Sequence, residues 1–222
     1  MMRIGIDARL VTFSGIGTYS RSLLQSFAAL DKENEYVLFC YQKDASLMPK
    51  QANFSLVFVK DPVFSLFAPK DLTKKIKQAN LSLYHALHYV TPGEINCPLV
   101  VTIHDLIPLV CPPTLPSFLK RYFYKMANIK AVTVAKAVIA VSEATKKDVV
   151  SVLKVPPDKV YVIYEAVAPE FVAAEKSKKN VLAKYDLNFP YLLNIGNAKP
   201  HKNWVSSIKA FALFVKAKPD YK

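Results

Sequence analysis

Glycine and cysteine are both scarce in this sequence of 222 residues. The sequence has five glycines and 15 prolines, so positions with a restricted backbone outnumber positions with a flexible one. The three cysteines, Cys40, Cys97 and Cys111, have no CxxC spacing, which argues against a zinc site and for a reducing compartment. With 52% hydrophobic and 21% charged residues, the composition excludes a disordered tail or a fibrous repeat.

Long hydrophobic runs are also missing. No apolar stretch reaches the ~18 residues that a membrane span requires. The first residues do not resemble a signal peptide, because Asp7 and Arg9 interrupt their apolar run. We therefore expect a cytoplasmic protein, either fully dissolved or lying peripherally at the inner face of the membrane.

Acidic residues are outnumbered, with 17 Asp and Glu against 30 Lys and Arg, which gives a formal charge of +13. Such a balance favours anionic partners such as phosphorylated substrates or an acidic membrane surface. Between 120 and 136 the basic residues are interleaved with Tyr122, Phe123 and Tyr124, which suits a solvated helix face or a membrane interface. Nucleic acid is not expected as a partner, because no binding motif accompanies the charge.

Strand and helix patterns alternate along the chain. Short apolar, β-branched runs predict strands over 3–8, 36–41, 54–59, 81–85, 99–104, 137–141 and 160–164. Helical spacing predicts helices over 16–30, 69–79, 117–134 and 142–153, the last with Ser142 as N-cap, and four prolines predict a non-helical segment over 108–116. Strands that are apolar on both faces are typical of a parallel sheet covered by helices, so we predict an α/β fold.

The character of the chain changes near residue 170. Residues 175–189 are polar and charged and are interpreted as a linker, while 190–196 predict a new strand and 204–216 a new helix. The sequence thus predicts a domain over 1–174 and the start of a second unit over 190–222. A lone strand and helix cannot bury both their faces. We expect a second domain cut short, or else a unit that packs on the first sheet.

Three predicted strand ends carry candidate site residues at the edge where parallel sheets bind ligands. Gly15, Ile16 and Gly17 begin a helix, whose N–H groups suit a phosphate or sugar; a plain tight turn is the alternative. His104 and Asp105 follow a central strand, where they predict a hydrogen-bonding pair in an active site or, alternatively, a capped strand end.

A third segment, 196–203, places two lysines and His201 before a helix, which predicts a phosphate site or a solvated basic loop. His85 and His88 lie three residues apart, but a strand end is favoured there over a metal site, and no metal is expected.

Taken together, these motifs resemble the GT-B glycosyltransferases of the group 1 (family four) type. They follow one another in the order GIDAR at 5–9, GIGTY at 15–19, YH at 84–85, TIHDL at 102–106, VIAVSE at 138–143, YEAV at 164–167 and Gly196 to Asn203. The resemblance covers essentially the whole chain.

The resemblance implies two Rossmann-like, doubly wound domains, here an acceptor-side domain and a truncated donor-binding unit, with the active site between them. It implies retaining transfer of a sugar from a nucleotide sugar to a glycan or lipid-linked acceptor, with no cofactor and no metal. The residues it assigns are catalytic His104 and Asp105, donor-binding Gly15, Ile16, Gly17, Lys202 and Asn203, and acceptor-binding Tyr19 and His85.

The sequence also departs from the family pattern. Asn197 stands where the family often has Arg, and the family's Glu-x7-Glu region is absent, since Glu165 and Glu170 do not occupy that place. The alternative is a non-catalytic acceptor-binding subunit or remnant that needs a separately encoded C-terminal half. A dinucleotide oxidoreductase is disfavoured, because the glycine fingerprint is incomplete and Tyr41-Gln42 replaces the acidic residue expected there.

Overall fold

The structure is a computed structural model that describes residues 1–64, 69–167, 182–187 and 189–220. Seven parallel strands form one sheet in the order β3-β2-β1-β4-β5-β6-β7. The strands are β1 (Arg3–Asp7), β2 (Glu35–Cys40), β3 (Phe54–Phe58), β4 (Leu83–Ala86), β5 (Leu99–Ile103), β6 (Ala137–Ala140) and β7 (Val160–Val162). The predicted α/β fold with a doubly wound parallel sheet is confirmed.

Helices cover both faces of the sheet. The helices that pack on it are α1 (Ser14–Leu30), α2 (Lys70–Gln78), α4 (Phe118–Val134) and α5 (Glu143–Leu153). The chain also forms α3 (Ile107–Val110) and α6 (Trp204–Ala217). One core packs α1 against the sheet through Leu24, and a second core lies beneath α2, α4 and α5. Helices α1, α2, α4 and α5 each bury residues at helical spacing, such as Leu72 and Ile76 of α2, whereas α3 and α6 bury none.

Local signals set several helix ends. Ser142 Oγ accepts a hydrogen bond from the Thr145 N–H at 3.1 Å, as expected of an N-cap. Ser117 Oγ accepts one from the Lys120 N–H at 3.3 Å at the start of α4. Lys154 ends α5 in the left-handed conformation, with φ 60°.

Two local predictions are wrong. The segment 108–116 is not free of helix, because α3 and a 3-10 turn over Pro112–Thr114 lie within it. Pro108 is the second residue of α3, and a proline in a first helical turn removes no helical hydrogen bond. Residues 190–196 form no strand; an extended segment needs a neighbouring strand for its backbone hydrogen bonds, and here Leu193 and Ile195 stay exposed.

The predicted helix at 204–216 is present as α6. Most of the predicted linker lies outside the described residues, so the domain division stays a prediction. No helix in the described part of the chain is long and apolar enough to cross a membrane.

Candidate active site

The order of the strands creates a crevice beside β1. The chain adds β2 and β3 on one side of β1 and then crosses over to add β4 and β5 on the other. Loops that follow β1 and β4 therefore diverge to opposite faces, and ligands of open α/β sheets bind at such switch points, beyond the carboxyl ends of the strands. The predicted site segments after β1 and β5 both lie at this edge.

The turn from β1 into α1 brings a helix N-terminus to the crevice. Ser14 opens the helix at φ 43°, a strained conformation for a residue with a side chain, which turns the chain sharply into α1. The N–H groups of Gly15 and Ile16 donate to no acceptor within the described residues, and the first turn of α1 carries no acidic side chain. This end of the helix is therefore suited to an anion.

The two glycines of this turn have different structural roles. A Cβ at Gly17 would lie 2.6 Å from the carbonyl oxygen of Val11, so only glycine allows the loop to pack against α1. A Cβ at Gly15 would meet nothing within 4 Å, so the space beside Gly15 is open. Gly17 therefore shapes the loop, while Gly15 leaves room for a ligand.

A buried ion pair lies at the start of the same loop. Arg9 Nε donates to Asp7 Oδ1 at 2.9 Å and Arg9 Nη2 to Asp7 Oδ2 at 2.7 Å, and both side chains are inaccessible to solvent. Burial by itself would raise the pKa of Asp7, but the charge and hydrogen bonds of Arg9, together with His88, hold that pKa well below its usual range. The pair therefore remains ionised inside the protein.

His88 completes this buried group. Its Nδ1 accepts a hydrogen bond from the Val90 N–H at 2.9 Å, which leaves Nε2, 3.5 Å from Asp7 Oδ2, to carry the proton of the neutral ring. Sequence reasoning missed the grouping, because it treated Asp7 and Arg9 only as breaks in an apolar run and as part of a motif. The signal in the sequence was a pair of opposite charges two residues apart at the end of a buried strand, which indicates a buried ion pair.

His104 lies at the mouth of the crevice, just after β5. Its Nε2 is 2.9 Å from the carbonyl oxygen of Leu87, which can only accept, so Nε2 carries a hydrogen. Its Nδ1 is 3.1 Å from Glu165 Oε1, and its ring meets the ring of Tyr19 edge-on with centroids 4.9 Å apart. The structure thus joins the TIHD segment to the helix of the glycine turn.

Asp105 is not the partner of His104, contrary to the predicted hydrogen-bonding pair. Consecutive residues of an extended chain point to opposite sides, so the two side chains diverge. Asp105 Oδ1 instead accepts a hydrogen bond at 3.0 Å from the N–H of Ile107, the first residue of α3. The partner of His104 is Glu165, which the sequence predicted as part of the YEAV motif but with no role in the site.

Tyr19 and His85 meet at Thr102. His85 Nε2 is 2.8 Å from Thr102 Oγ1, and Tyr19 Oη is 3.5 Å from the same oxygen. Tyr19 is half-buried, whereas His85 is buried behind it. Their predicted role in acceptor binding stays a prediction, in which Tyr19 is the residue placed to touch a ligand.

The burial of His85 should make the protein sensitive to mild acid. Burial, and to a smaller degree the neighbouring His104, lowers the pKa of His85 from 6.5 to about 4. Between these two pH values the unfolded chain binds a proton that the folded chain does not, so acidification favours unfolding.

We expect the free energy of unfolding to fall by about 2 kcal/mol from pH 7 to pH 5 through this histidine. The His85→Gln variant keeps a polar partner for Thr102 but has no imidazole to titrate. Its free energy of unfolding should therefore fall much less between pH 7 and pH 5. Urea unfolding of both proteins at the two pH values measures the difference. The same loss in both would show that His85 is not the responsible group.

Lys202 and Asn203 lie farther along the chain, on a 3-10 turn (Pro200–Lys202) and at the N-cap of α6. This turn meets the segment before α4, where His201 Nδ1 lies 3.4 Å from Thr114 Oγ1. No hydrogen bond joins Lys202 or Asn203 to the glycine turn in the described ranges, so their donor-binding role stays a prediction. A groove lined by Lys70, Lys74 and Lys77 runs along α2 and contains none of the predicted site residues.

Comparison with known proteins agrees with this architecture. Residues 13–171 match the family model described as Glycosyltransferase Family 4. The O-antigen chain mannosyltransferase RfbU of Salmonella typhimurium is 29% identical over 134 residues, which are 60% of this chain and 34% of that protein. The serotype-specific mannosyltransferase WbdA of Escherichia coli is 28% identical over 130 residues, 56% of this chain and 16% of that protein. This chain thus spans about a third of RfbU and less of WbdA.

Solved structures share the fold at low sequence identity. Anabaena HepE, in complex with UDP and glucose, superposes with a TM-score of 0.64 at 14% identity, over 100% of this chain and 60% of that chain. Sucrose-phosphate synthase from Thermosynechococcus elongatus gives a TM-score of 0.62 at 13% identity, over 88% of this chain and 56% of that chain. With the family match over more than half of its length, the chain belongs to glycosyltransferase family 4, and its sheet is a Rossmann-like unit of the GT-B fold.

Proposed function

We propose that this chain is the acceptor-side part of a retaining, nucleotide-sugar-dependent hexosyltransferase that acts on a glycan or lipid-linked acceptor. The observation that supports it most is the contact of His104 with Tyr19 at the switch-point crevice. It joins the predicted catalytic histidine to the predicted acceptor-binding tyrosine of α1, although the two are far apart in sequence. The names of the relatives make polysaccharide biosynthesis the expected setting and mannose the first sugar to test.

The chemistry in this proposal needs positive charge at the leaving group. As the bond between the anomeric carbon and the diphosphate oxygen breaks, negative charge develops on the diphosphate. The N–H groups of Gly15 and Ile16, which donate to nothing among the described residues, can donate to those oxygens, and Lys202 can supply a full charge. In this proposal these groups stabilise the negative charge of the leaving diphosphate without a metal or a cofactor. The reaction takes place in the cytoplasm, at the inner face of the membrane.

Calorimetric titration of the purified chain with GDP-mannose and UDP-glucose tests the donor side. We expect one of them to bind, and Lys202→Ala to weaken that binding about tenfold, since a charge-assisted hydrogen bond is lost. Gly15→Ala should also weaken binding while leaving the melting temperature unchanged, because its Cβ enters open space. Lys147→Ala, which removes a lysine from α5, is the matched control and should bind normally.

Transfer of labelled sugar to a lipid-linked oligosaccharide is the second measurement. If no nucleotide sugar binds and none is transferred, the chain is not a transferase by itself. The alternative then applies, that of an acceptor-binding subunit that works with a separately encoded donor half. Binding that Lys202→Ala leaves unchanged would instead remove Lys202 from the site.

A further inference from the structure

Two phenylalanines contact each other beside the glycine turn with about half of their surface in water. Phe13 and Phe64, which we call the phenylalanine pair, are 47% and 54% exposed. Their ring centroids lie 5.5 Å apart at an interplanar angle of 58°. They stand on the loops that follow β1 and β3, so the pair lies at the carboxyl edge of the sheet. Aromatic side chains at the edge where a sheet binds ligands are typical of the wall of a ligand site.

Both rings stand on backbone that is held by hydrogen bonds. The N–H of Phe13 donates to the carbonyl oxygen of Leu10 at 2.8 Å. The loop of Phe64 is tied to β2 at Asp61, whose carbonyl oxygen accepts a hydrogen bond from Tyr41 Oη at 2.9 Å. The two rings are therefore positioned before any ligand binds, which lowers the entropy cost of binding.

We infer that the phenylalanine pair is a subsite for a hexopyranose ring of the glycan acceptor, at a distance from the reacting hydroxyl. The face of an aromatic ring is electron-rich, so it attracts the C–H groups on one face of a sugar ring, while the hydroxyls at the rim of the sugar need polar partners. Polar side chains lie at the same edge. The 3-10 turn after β2 lies between the loops of β1 and β3 in the strand order, and its exposed polar residues are Gln42, Lys43 and Ser46.

The strand order sets how far this subsite lies from the predicted catalytic histidine. At a strand spacing of ~4.8 Å, β1 lies about 10 Å and β3 about 19 Å from β5, the strand that leads to His104. A single sugar ring therefore cannot contact His104 and the phenylalanine pair together. Lys202 lies on the other side, because its 3-10 turn contacts Pro112–Thr114, which follows β5 and α3. A donor held by Lys202 and an acceptor extended over the pair would approach His104 from opposite sides.

The size of the pair argues for a small ligand. Two half-exposed rings offer far less than the ~800 Å² per partner that a stable protein interface buries, so a second copy of the chain is a poor occupant. The ligand class rests on the proposed function, in which the acceptor is a glycan. The binding measurement below requires no transfer reaction.

Titration of the purified chain with oligosaccharides, followed by NMR, tests the subsite. Mannotetraose and maltotetraose are the long probes, and methyl α-mannoside is the short one. We expect a tetrasaccharide to bind about tenfold more tightly than methyl α-mannoside, and Phe13→Ala or Phe64→Ala to remove most of that advantage. Phe64→Tyr keeps the ring and should retain the binding of the wild type.

The matched control is Phe123→Ala on α4. Phe123 is also 47% exposed, but it lies outside the phenylalanine pair, so this variant should bind the tetrasaccharide normally. Circular dichroism should show an unchanged fold in all the alanine variants, because the replaced side chains are half-exposed. An equal loss of binding in Phe123→Ala and Phe64→Ala would overturn the inference, as would tetrasaccharides that bind no better than methyl α-mannoside. Weaker binding of UDP or GDP to Phe64→Ala, with oligosaccharide binding unchanged, would assign the pair to a nucleobase instead.

Transfer assays with short and long acceptors separate this inference from the proposed function. We expect Phe64→Ala to raise the KM of long acceptors and to leave that of short acceptors unchanged. If sugar is transferred but Phe64→Ala does not change the KM of long acceptors, the subsite is wrong while the proposed function holds. If oligosaccharides bind through the pair but no sugar is transferred, the subsite holds and the proposed transfer fails.

Discussion

Replacing Arg9 by methionine is expected to lower the free energy of unfolding by about 3–5 kcal/mol. The substitution keeps an unbranched side chain of similar length but leaves the Asp7 carboxylate buried without its counter-charge. Both charges are fully removed from water, so no solvent can replace the lost partner. Urea unfolding at pH 7 measures the effect.

The double variant Asp7→Asn/Arg9→Met is the control that separates the loss of the counter-charge from the change in side-chain shape. It removes both charges, so it should recover part of the stability that Arg9→Met loses. Recovery would also identify the cause if Arg9→Met does not fold. A loss below about 1 kcal/mol in Arg9→Met would contradict the role of the ion pair.

The same pair predicts a difference in acid. The folded pKa of Asp7 lies below its unfolded value, so the pair stabilises the protein above about pH 4 and this contribution is lost as the pH falls further. In Arg9→Met, burial raises the pKa of the Asp7 carboxyl, which no longer has a counter-charge. Protonation of Asp7 should then favour the folded state. Between pH 5 and pH 3 the gap in stability between wild type and Arg9→Met should therefore narrow.

Replacing His104 by alanine is expected to reduce turnover in the proposed sugar transfer by about 100- to 1000-fold, the usual effect of removing one polar group that stabilises the transition state. The cost in folding should be only about 1 kcal/mol, since the hydrogen bond of His104 to Glu165 is exposed and the one to the Leu87 carbonyl is only partly buried. Rates of sugar transfer at saturating donor, together with urea unfolding, separate the two effects. Unchanged turnover would remove His104 from the mechanism.

Glu165 provides the companion variant. Its carboxylate faces Nδ1 of His104, so it acts as a positioning residue for the imidazole. Glu165→Gln keeps the shape but presents a neutral amide, and we expect a fall of about tenfold in kcat with little change in KM. A change in KM alone would indicate that Glu165 touches the substrate instead of orienting His104.

Much of the fold could be predicted because its signals are local. The runs at 99–104 and 137–141 are apolar on both faces, which only a sheet covered on both sides can bury, and β5 and β6 form there. Ser142 caps α5 because its side chain accepts a hydrogen bond from Thr145, only three residues farther along the chain. Where a signal needed a distant partner it failed: 190–196 has the composition of a strand but no neighbouring strand to pair with in the described ranges.

The amino-acid sequence by itself determined the alternation of strands and helices, the glycines at the start of α1 and the family resemblance, because each rests on neighbouring residues. Only the tertiary structure decided that Glu165, and not Asp105, faces His104, and that Asp7, Arg9 and His88 form one buried group. Those contacts join residues from different strands and loops. Their partners are chosen by the order in which β1, β4 and β5 lie side by side, and this order follows from long-range packing, which no local pattern records.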